Sequence, residues 1–185
     1  MNVMLSLKEA TWPVHLRLEK RLAVKDRFSE LGRYREHLAL LAAFYTVAEA
    51  EWDAWLAPVL ADWPARRKAP LLARDLADVG GTPLARPIVP IATDAAFALG
   101  CMYVLEGATL GGQHLLPLVQ RQLGLSAEHG ASFLASYGTD VREMWRRFGA
   151  AVESHCQDAG AGARAVAGAQ ATFLAMEDWL CGVPA

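Results

Sequence analysis

The sequence contains few cysteines and almost no excess of either charge. Its three cysteines, Cys101, Cys156 and Cys181, are odd in number and widely spaced, so we expect reduced thiols in a cytoplasmic protein rather than a disulfide framework or a zinc site. The formal net charge is −2, which gives no general electrostatic reason to bind nucleic acid or a membrane surface. Neither of these partners is therefore expected.

Targeting and anchoring segments are not evident either. We find no apolar run long enough to cross a bilayer. The first residues lack a basic region followed by an apolar stretch and a small-residue cleavage site. The 185 residues are 54% hydrophobic and 21% charged, which predicts one folded domain over residues 1–185.

The sequence has no sustained two-residue alternation of the kind that marks β-strands. Ala and Leu dominate, and the pattern predicts an all-α, single-domain helical bundle. A capping box at Ser6–Glu9 should open the first helix, in which Pro13 should introduce a kink, or else Thr11 caps a later start. Residues 159–162 should form a turn, and residues 81–90, with three prolines, should form a loop. The predicted helices cover about 6–21, 31–56, 65–79, 93–123, 126–137, 139–157 and 163–180.

One predicted helix contains an unusual group of glycines. Residues 103–113 read YVLEGATLGGQ, with Gly107, Gly111 and Gly112 inside an apolar helical run. Each glycine costs a helix about 1 kcal/mol relative to alanine. Because glycine has no Cβ, its backbone can lie close to another group. The sequence leaves two explanations open at this point, which are close packing of another helix and contact with a flat ligand.

A histidine in the first helix lies on an otherwise apolar or small stripe. Helical spacing places His15 on one face with Lys8, Thr11, Leu18 and Leu22. A histidine on such a face is either a core residue bonded to a backbone carbonyl or a neutral imidazole ligand to a metal. Glu19, one turn later, is then a hydrogen-bond partner of the imidazole or simply a solvated charge.

The chain lacks the spacings of common helical metal sites. It contains neither His-Glu-x-x-His nor Glu-x-x-His, which disfavours a zinc protease and a di-iron bundle. A single histidine ligand makes haem the natural candidate, because the porphyrin supplies four further ligands. The two haem propionates would need basic partners. Candidates for these are Lys8, Arg142, Arg146 and Arg147.

Two separated segments resemble the biliverdin-producing haem oxygenases. Residues 7–19, LKEATWPVHLRLE, are similar to the proximal helix of that family, and residues 103–113 are similar to its distal helix, especially in bacterial members. A weaker match joins FLASYG at 133–138 with WRRF at 145–148. The resemblance covers most of the chain. It implies the haem oxygenase fold, with a bent, glycine-rich distal helix.

The resemblance also implies roles for individual residues. His15 would ligate the iron, while Gly107, Gly111 and Gly112 would line the distal face and shape catalysis. The implied haem-binding residues are Lys8 and Arg146, for the propionates, together with Thr11 and Glu19. Some family members use a distal aspartate to organise water, and in this chain the nearby acidic residue is Glu106.

The activity implied by the resemblance is oxidative cleavage of haem to biliverdin, carbon monoxide and ferrous iron. Haem would be both substrate and cofactor, and dioxygen and an external electron donor, a ferredoxin or a reductase, would be needed. A bacterial phytochrome could accept the biliverdin. Two alternatives remain at this point. One is a non-catalytic haem carrier or sensor on the same fold, and the other is a helical bundle, like the thiaminases, that binds a different small molecule.

Overall fold

The regular secondary structure of the protein is helical. The computed structural model describes residues 2–182, except the side chain of Val24, and within this range it contains no strand, only isolated bridges from Ser126 to His129 and Gly130. The helices are α1 (Val3–Leu22), α2 (Val24–Arg27), α3 (Leu31–Leu56), α4 (Trp63–Arg66), α5 (Ala69–Asp78), α6 (Ala95–Leu123), α7 (Ser132–Ala135), α8 (Val141–His155) and α9 (Ala159–Cys181), with a 3₁₀ turn at Gly138–Asp140.

Several predicted helix boundaries are confirmed and several are wrong. Helix α3 has the predicted bounds, and α6 begins after Asp94, whose side chain accepts a hydrogen bond from the Phe97 amide. The first helix, however, begins earlier than the proposed capping box. Asn2 is its N-cap and accepts from the Leu5 amide at 2.8 Å, while Ser6 lies inside the helix.

Three other differences have local causes. The helix predicted over 65–79 is divided into α4 and α5, because Arg67 is extended and a proline begins the next helix. Ser126 forms a turn with His129 instead of capping a helix. The turn expected at 159–162 is the first turn of α9, capped by Asp158, which accepts from the Ala161 amide at 2.8 Å. Pro13 lies inside α1, which continues to Leu22.

Helix α9 packs against both α1 and α6 and organises the core. Its crossing with α6 is unusually close because glycines face the opposing backbone. A Cβ at Gly100 of α6 would overlap the carbonyl oxygen of Ala165, and one at Gly168 of α9 would overlap that of Phe97. The close helix crossing that small residues permit is therefore present in α6, but it is centred on Gly100.

The expectation that no segment is long enough to cross a membrane needs correction. Helix α6 passes that test by length and composition. Of its most apolar window, 61% is buried inside the protein, as in the core helix of a folded domain. Its apolar residues are explained by packing against α7, α8 and α9.

A buried histidine in α3 should make the fold sensitive to acid. The His37 imidazole lies 3.5 Å from Arg27 Nη1, and burial together with the Arg27 charge lowers its pKa to about 3. The unfolded chain, with a pKa near 6.5, binds this proton more readily. Stability associated with neutral His37 is therefore present above about pH 6.5 and is lost as the pH falls toward 3.

We therefore expect His37→Asn to reduce the acid sensitivity of the protein. Asparagine keeps a hydrogen-bond acceptor for Arg27 but does not titrate. Denaturant unfolding at pH 7.5 and pH 5.0 should show that the variant loses about 2 kcal/mol less free energy of unfolding than wild type over this interval. The exposed His155 provides the control, since His155→Asn should retain the wild-type loss. An unchanged loss in His37→Asn would contradict the assignment.

Candidate functional site

His15 lies on α1 at the edge of the core, partly open to solvent. Its side chain is 38% exposed, and two aromatic rings flank it. The ring centroids of Trp12 and Phe173 lie 5.6 and 5.7 Å from that of His15. Glu19 Oε1 lies 3.3 Å from His15 Nε2. His15 is thus not a fully buried core histidine, and Glu19 is within reach of one nitrogen of its ring.

The helix that carries His15 is tied to α9 by a buried carboxylate. Glu177 Oε2 accepts a hydrogen bond from Arg17 Nη2 at 2.6 Å, and its Oε1 accepts one from Arg21 Nη1 at 2.9 Å. These hydrogen bonds lower the pKa of Glu177 to about 2. Because Phe173 lies one turn before Glu177, the same face of α9 contacts His15 and anchors the following turns of α1.

One face of α6, called here the glycine face or open face, has no side chains at its centre, where Gly107 and Gly111 lie. Tyr103, Gly107 and Gly111 follow one another at intervals of four residues and therefore share a helix face. A Cβ added to Gly107 or Gly111 would meet no described atom within 4 Å. Gly112 faces elsewhere, because its Cβ would lie 3.1 Å from the carbonyl oxygen of Leu134 in α7. The packing explanation therefore applies to Gly112, and the ligand explanation suits Gly107 and Gly111.

The α1 and α6 faces meet one turn before the two candidate positions. Thr11 of α1 is buried and donates its hydroxyl to the Leu7 carbonyl oxygen at 2.7 Å; burial raises the pKa of Tyr103, and the Thr11 side chain opposes that rise. His15 is one turn beyond Thr11 on α1, and Gly107 is one turn beyond Tyr103 on α6. Each candidate position therefore lies about 6 Å along its own helix from this approach of α1 to α6.

Basic side chains occur on α8, which borders the same region. The rings of Trp145 and Tyr103 lie 5.5 Å apart, so this part of α8 packs beside the open face of α6. Arg146 is 70% exposed and is bound to Glu143 at 2.7–2.8 Å. Lys8 and Arg142 are also exposed. An anionic ligand would have to draw Arg146 away from Glu143.

A small apolar pocket lies away from these residues. A cavity of about 270 Å³ is bordered by α3, α5 and the loop that follows α5. Its walls are mostly alanine and other small apolar side chains, and the only charged residue among those described is Arg86. A shallower depression is lined by Leu5, Lys8, Glu9, Trp12 and Pro13 on α1. Neither includes His15, Gly107 or Gly111.

Sequence reasoning missed the aromatic residues that surround the candidate site. Trp12 is three residues before His15, a spacing that could have indicated the contact. Phe173 belongs to α9 and is 158 positions away in sequence, so no local pattern predicts that it contacts the histidine. No three His, Cys, Asp or Glu side chains between residues 2 and 182 are grouped so that they could hold a metal ion. A site with a single protein ligand is consistent with this arrangement.

The fold and the site define a helical protein with a partly exposed histidine on one helix and a side-chain-free face on another. Comparison with known proteins identifies the class. The sequence model of the family described as "Heme oxygenase" matches residues 1–181. A "Heme oxygenase" of Xanthomonas campestris pv. campestris (strain 8004) is 38% identical over 141 residues, which cover 75% of this chain and 81% of the relative. The chain belongs to the haem oxygenase family.

Solved structures give the same fold. The haem oxygenase of Neisseria meningitidis, crystallised with NO and with CO, superposes with a TM-score of 0.86 at 25% identity, covering 100% of this chain and 94% of that one. The haem oxygenase of Leptospira interrogans gives a TM-score of 0.83 at 20% identity, covering 99% and 100%. The protein is thus an enzyme that cleaves haem, with haem and an electron donor as its partners, and the carrier alternative is not favoured.

Proposed function

We propose that His15 is the iron ligand of the haem that this enzyme cleaves. The observations that carry the proposal are a 38% exposed imidazole on α1 and an α6 face on which Gly107 and Gly111 present only backbone. A flat macrocycle fits this pair of faces, because a Cβ at either glycine would enter empty space. The haem is substrate as well as cofactor.

Glu19 orients the imidazole in this proposal. A histidine that binds a metal through one nitrogen commonly donates a hydrogen bond from the other to a carboxylate, which fixes the tautomer and makes the ligating nitrogen more basic. Glu19 is already within 3.3 Å of the ring. Trp12 and Phe173 restrict rotation of the ring from its two sides, while Thr11 keeps α1 in contact with Tyr103.

The glycine face controls the chemistry on the distal side. Bound haem supplies both the iron that activates dioxygen and the ring carbon that is oxidised. Gly107 and Gly111 let the α6 backbone approach the ring closely and place no acid or base there that would promote a competing reaction. The same glycines allow α6 to flex when haem is admitted and product is released.

The remaining assignments concern propionates and partners. Lys8, Arg142 and Arg146 are exposed cations on α1 and α8, and Lys8 and Arg146 are our choice for the propionate contacts. A ferredoxin or a reductase supplies the electrons, and a bacterial phytochrome is a candidate acceptor for the biliverdin. The reduced thiols expected from the sequence suit a cytoplasmic enzyme. All three cysteines are free, and Cys101 and Cys156 are buried.

Titration with hemin followed by reduction in air tests the proposal. Wild-type protein should develop a Soret band with hemin, and ascorbate or a ferredoxin-type donor should then replace that band with the spectrum of biliverdin. Chromatography of the product would identify the ring carbon that is attacked. A stable haem spectrum under these conditions would favour a carrier. Absence of hemin binding would contradict the proposed site altogether and would favour another ligand.

A further inference from the structure

A buried acidic residue lies directly before the glycine face. The side chain of Glu106 is 0% exposed, although glutamate side chains carry a charge in most protein surroundings. Tyr137 Oη donates a hydrogen bond to Glu106 Oε1 at 2.6 Å, and Arg66 Nη1 lies 3.3 Å from Oε2. On a helix, Glu106 is a quarter-turn to one side of Gly107. Its partners therefore contact the flank of α6 and leave the open face free.

The partners of Glu106 are themselves fixed to other elements. Arg66 forms two hydrogen bonds to Asp62, at 2.6 and 2.9 Å, and another to the carbonyl oxygen of Met144 in α8 at 3.2 Å. Its guanidinium also lies 5.6 Å from the centre of the Phe148 ring. Through this one arginine, Glu106 is connected to α4 and α8.

Tyr137 connects Glu106 to the segment that follows α7. The Lys68 ammonium lies over the Tyr137 ring, 3.3 Å from its centre, so the ring is held from the α5 side. One turn and a half after Gly107, Gln113 Nε2 donates to the carbonyl oxygen of Gly138 at 2.6 Å. The segment containing Tyr137 and Gly138 is thus bonded to α6 on both sides of Gly107 and Gly111.

A buried charge pair of this kind is poorly explained by stability alone. Burial raises the pKa of Glu106, while Tyr137 and Arg66 oppose that change. Apolar side chains of similar volume often stabilise a fold as well as a buried ion pair does. Tyr137 supplies a directional hydrogen bond, whereas Arg66 Nη1 and Glu106 Oε2 meet only as opposite charges, without a hydrogen-bond partner among the described residues. Together these contacts hold the α6 backbone in one place. Gly107 and Gly111 have no side chains that could do this by packing.

We propose that Glu106 is a positioning residue that, through Arg66 and Tyr137, fixes the backbone of Gly107 relative to the haem. This inference rests on the proposed function of the glycine face. Glu106 acts from the flank of α6 and does not touch the reacting atoms. The distance between the α6 backbone and the substrate is consequently set by groups outside the haem cleft.

The test compares Glu106→Gln and Tyr137→Phe with a matched control. Tyr34→Phe removes another buried phenolic hydroxyl, which donates to the Gly130 carbonyl oxygen at 2.8 Å in a different part of the protein. Amide hydrogen exchange of the haem-free, full-length protein should become faster in a peptide covering 104–112 in both Glu106→Gln and Tyr137→Phe. It should stay at the wild-type rate there in Tyr34→Phe.

The haem-loaded proteins provide two further readouts. The C–O stretching frequency of the ferrous CO complex reports the distal surroundings, and it should shift or broaden in Glu106→Gln and Tyr137→Phe only. The rate constant for turnover should fall about ten- to hundredfold, as expected for a small displacement of a reacting geometry, while hemin affinity changes little. If Glu106→Gln does not fold, Tyr137→Phe decides the question.

The possible failures can be told apart. Unchanged local exchange and an unchanged C–O frequency in Tyr137→Phe would overturn the inference. Faster exchange over the whole chain, with activity lost only in proportion to the folded fraction, would also overturn it and would leave Glu106 a structural residue. Failure of wild-type protein to bind hemin would instead reject the proposed function on which the inference rests.

Discussion

Replacing His15 with alanine is expected to abolish haem turnover while the helical bundle stays folded. The imidazole is at the edge of the core, where its contacts are the rings of Trp12 and Phe173 and the carboxylate of Glu19. Its loss therefore removes little buried area. Changing a group that only orients a metal ligand commonly costs 10- to 100-fold in affinity or activity, so loss of the ligand itself should cost about a hundredfold or more.

The experiment distinguishes a lost ligand from a damaged fold. His15→Ala should show wild-type circular dichroism, an altered Soret band with hemin and no biliverdin on reduction. Added imidazole should restore part of the wild-type spectrum by entering the space that the side chain leaves. His155→Ala, which changes an exposed histidine on α8, should behave as wild type. Unchanged spectra and turnover in His15→Ala would assign the iron to another side chain.

The arrangement of side chains around His15 on α1 could be predicted from the sequence, because these residues are close together in the chain. The stripe that contains His15 and Thr11 follows from helical spacing alone, and so does the i, i+4 relation of His15 and Glu19. Phe173 and Glu177 could not be predicted in the same way. They contact α1 only because α9 packs beside it, and α9 is itself placed by its crossing with α6, at two glycines more than 60 positions apart, Gly100 and Gly168.

The glycines of α6 show a second limit of local reasoning. Gly107, Gly111 and Gly112 look equivalent in sequence, and no local pattern singles out Gly100. Their different surroundings become visible only in the folded protein. Gly112 borders Leu134 of α7, Gly100 lies against the backbone of α9, and Gly107 and Gly111 face open space. The glycine pattern predicts a close approach correctly. It does not predict which glycine approaches which neighbour.

Replacing Gly107 with alanine should have opposite effects on stability and on activity. The added methyl group meets nothing within 4 Å in the haem-free protein. Alanine also lowers the free energy of a helix by about 1 kcal/mol relative to glycine, so the haem-free variant should unfold at a higher denaturant concentration than wild type. The same methyl group would occupy space that we assign to the haem and its oxygen ligand, and turnover should therefore fall.

A larger side chain should increase the loss of activity. Gly107→Leu places a branched side chain on the open face, and it should prevent the close approach of backbone and macrocycle. Since displacement by about 1 Å can cost a hundredfold in rate, we expect turnover to fall about a hundredfold or more in this variant. Hemin titration measures haem affinity, and product formation under reduction measures turnover. Denaturant unfolding of the haem-free protein measures stability.

Gly100→Ala supplies the matched control, because this glycine lies on the same helix but faces a backbone. Its methyl group would overlap the carbonyl oxygen of Ala165, so α6 and α9 must separate and the free energy of unfolding must decrease. A stabilised but inactive Gly107→Ala beside a destabilised Gly100→Ala would show that the two glycines serve a ligand and a helix crossing, respectively. If Gly107→Ala were also destabilised, the space beside Gly107 would not be open. If it kept full activity, the open face of α6 would have no role in binding haem.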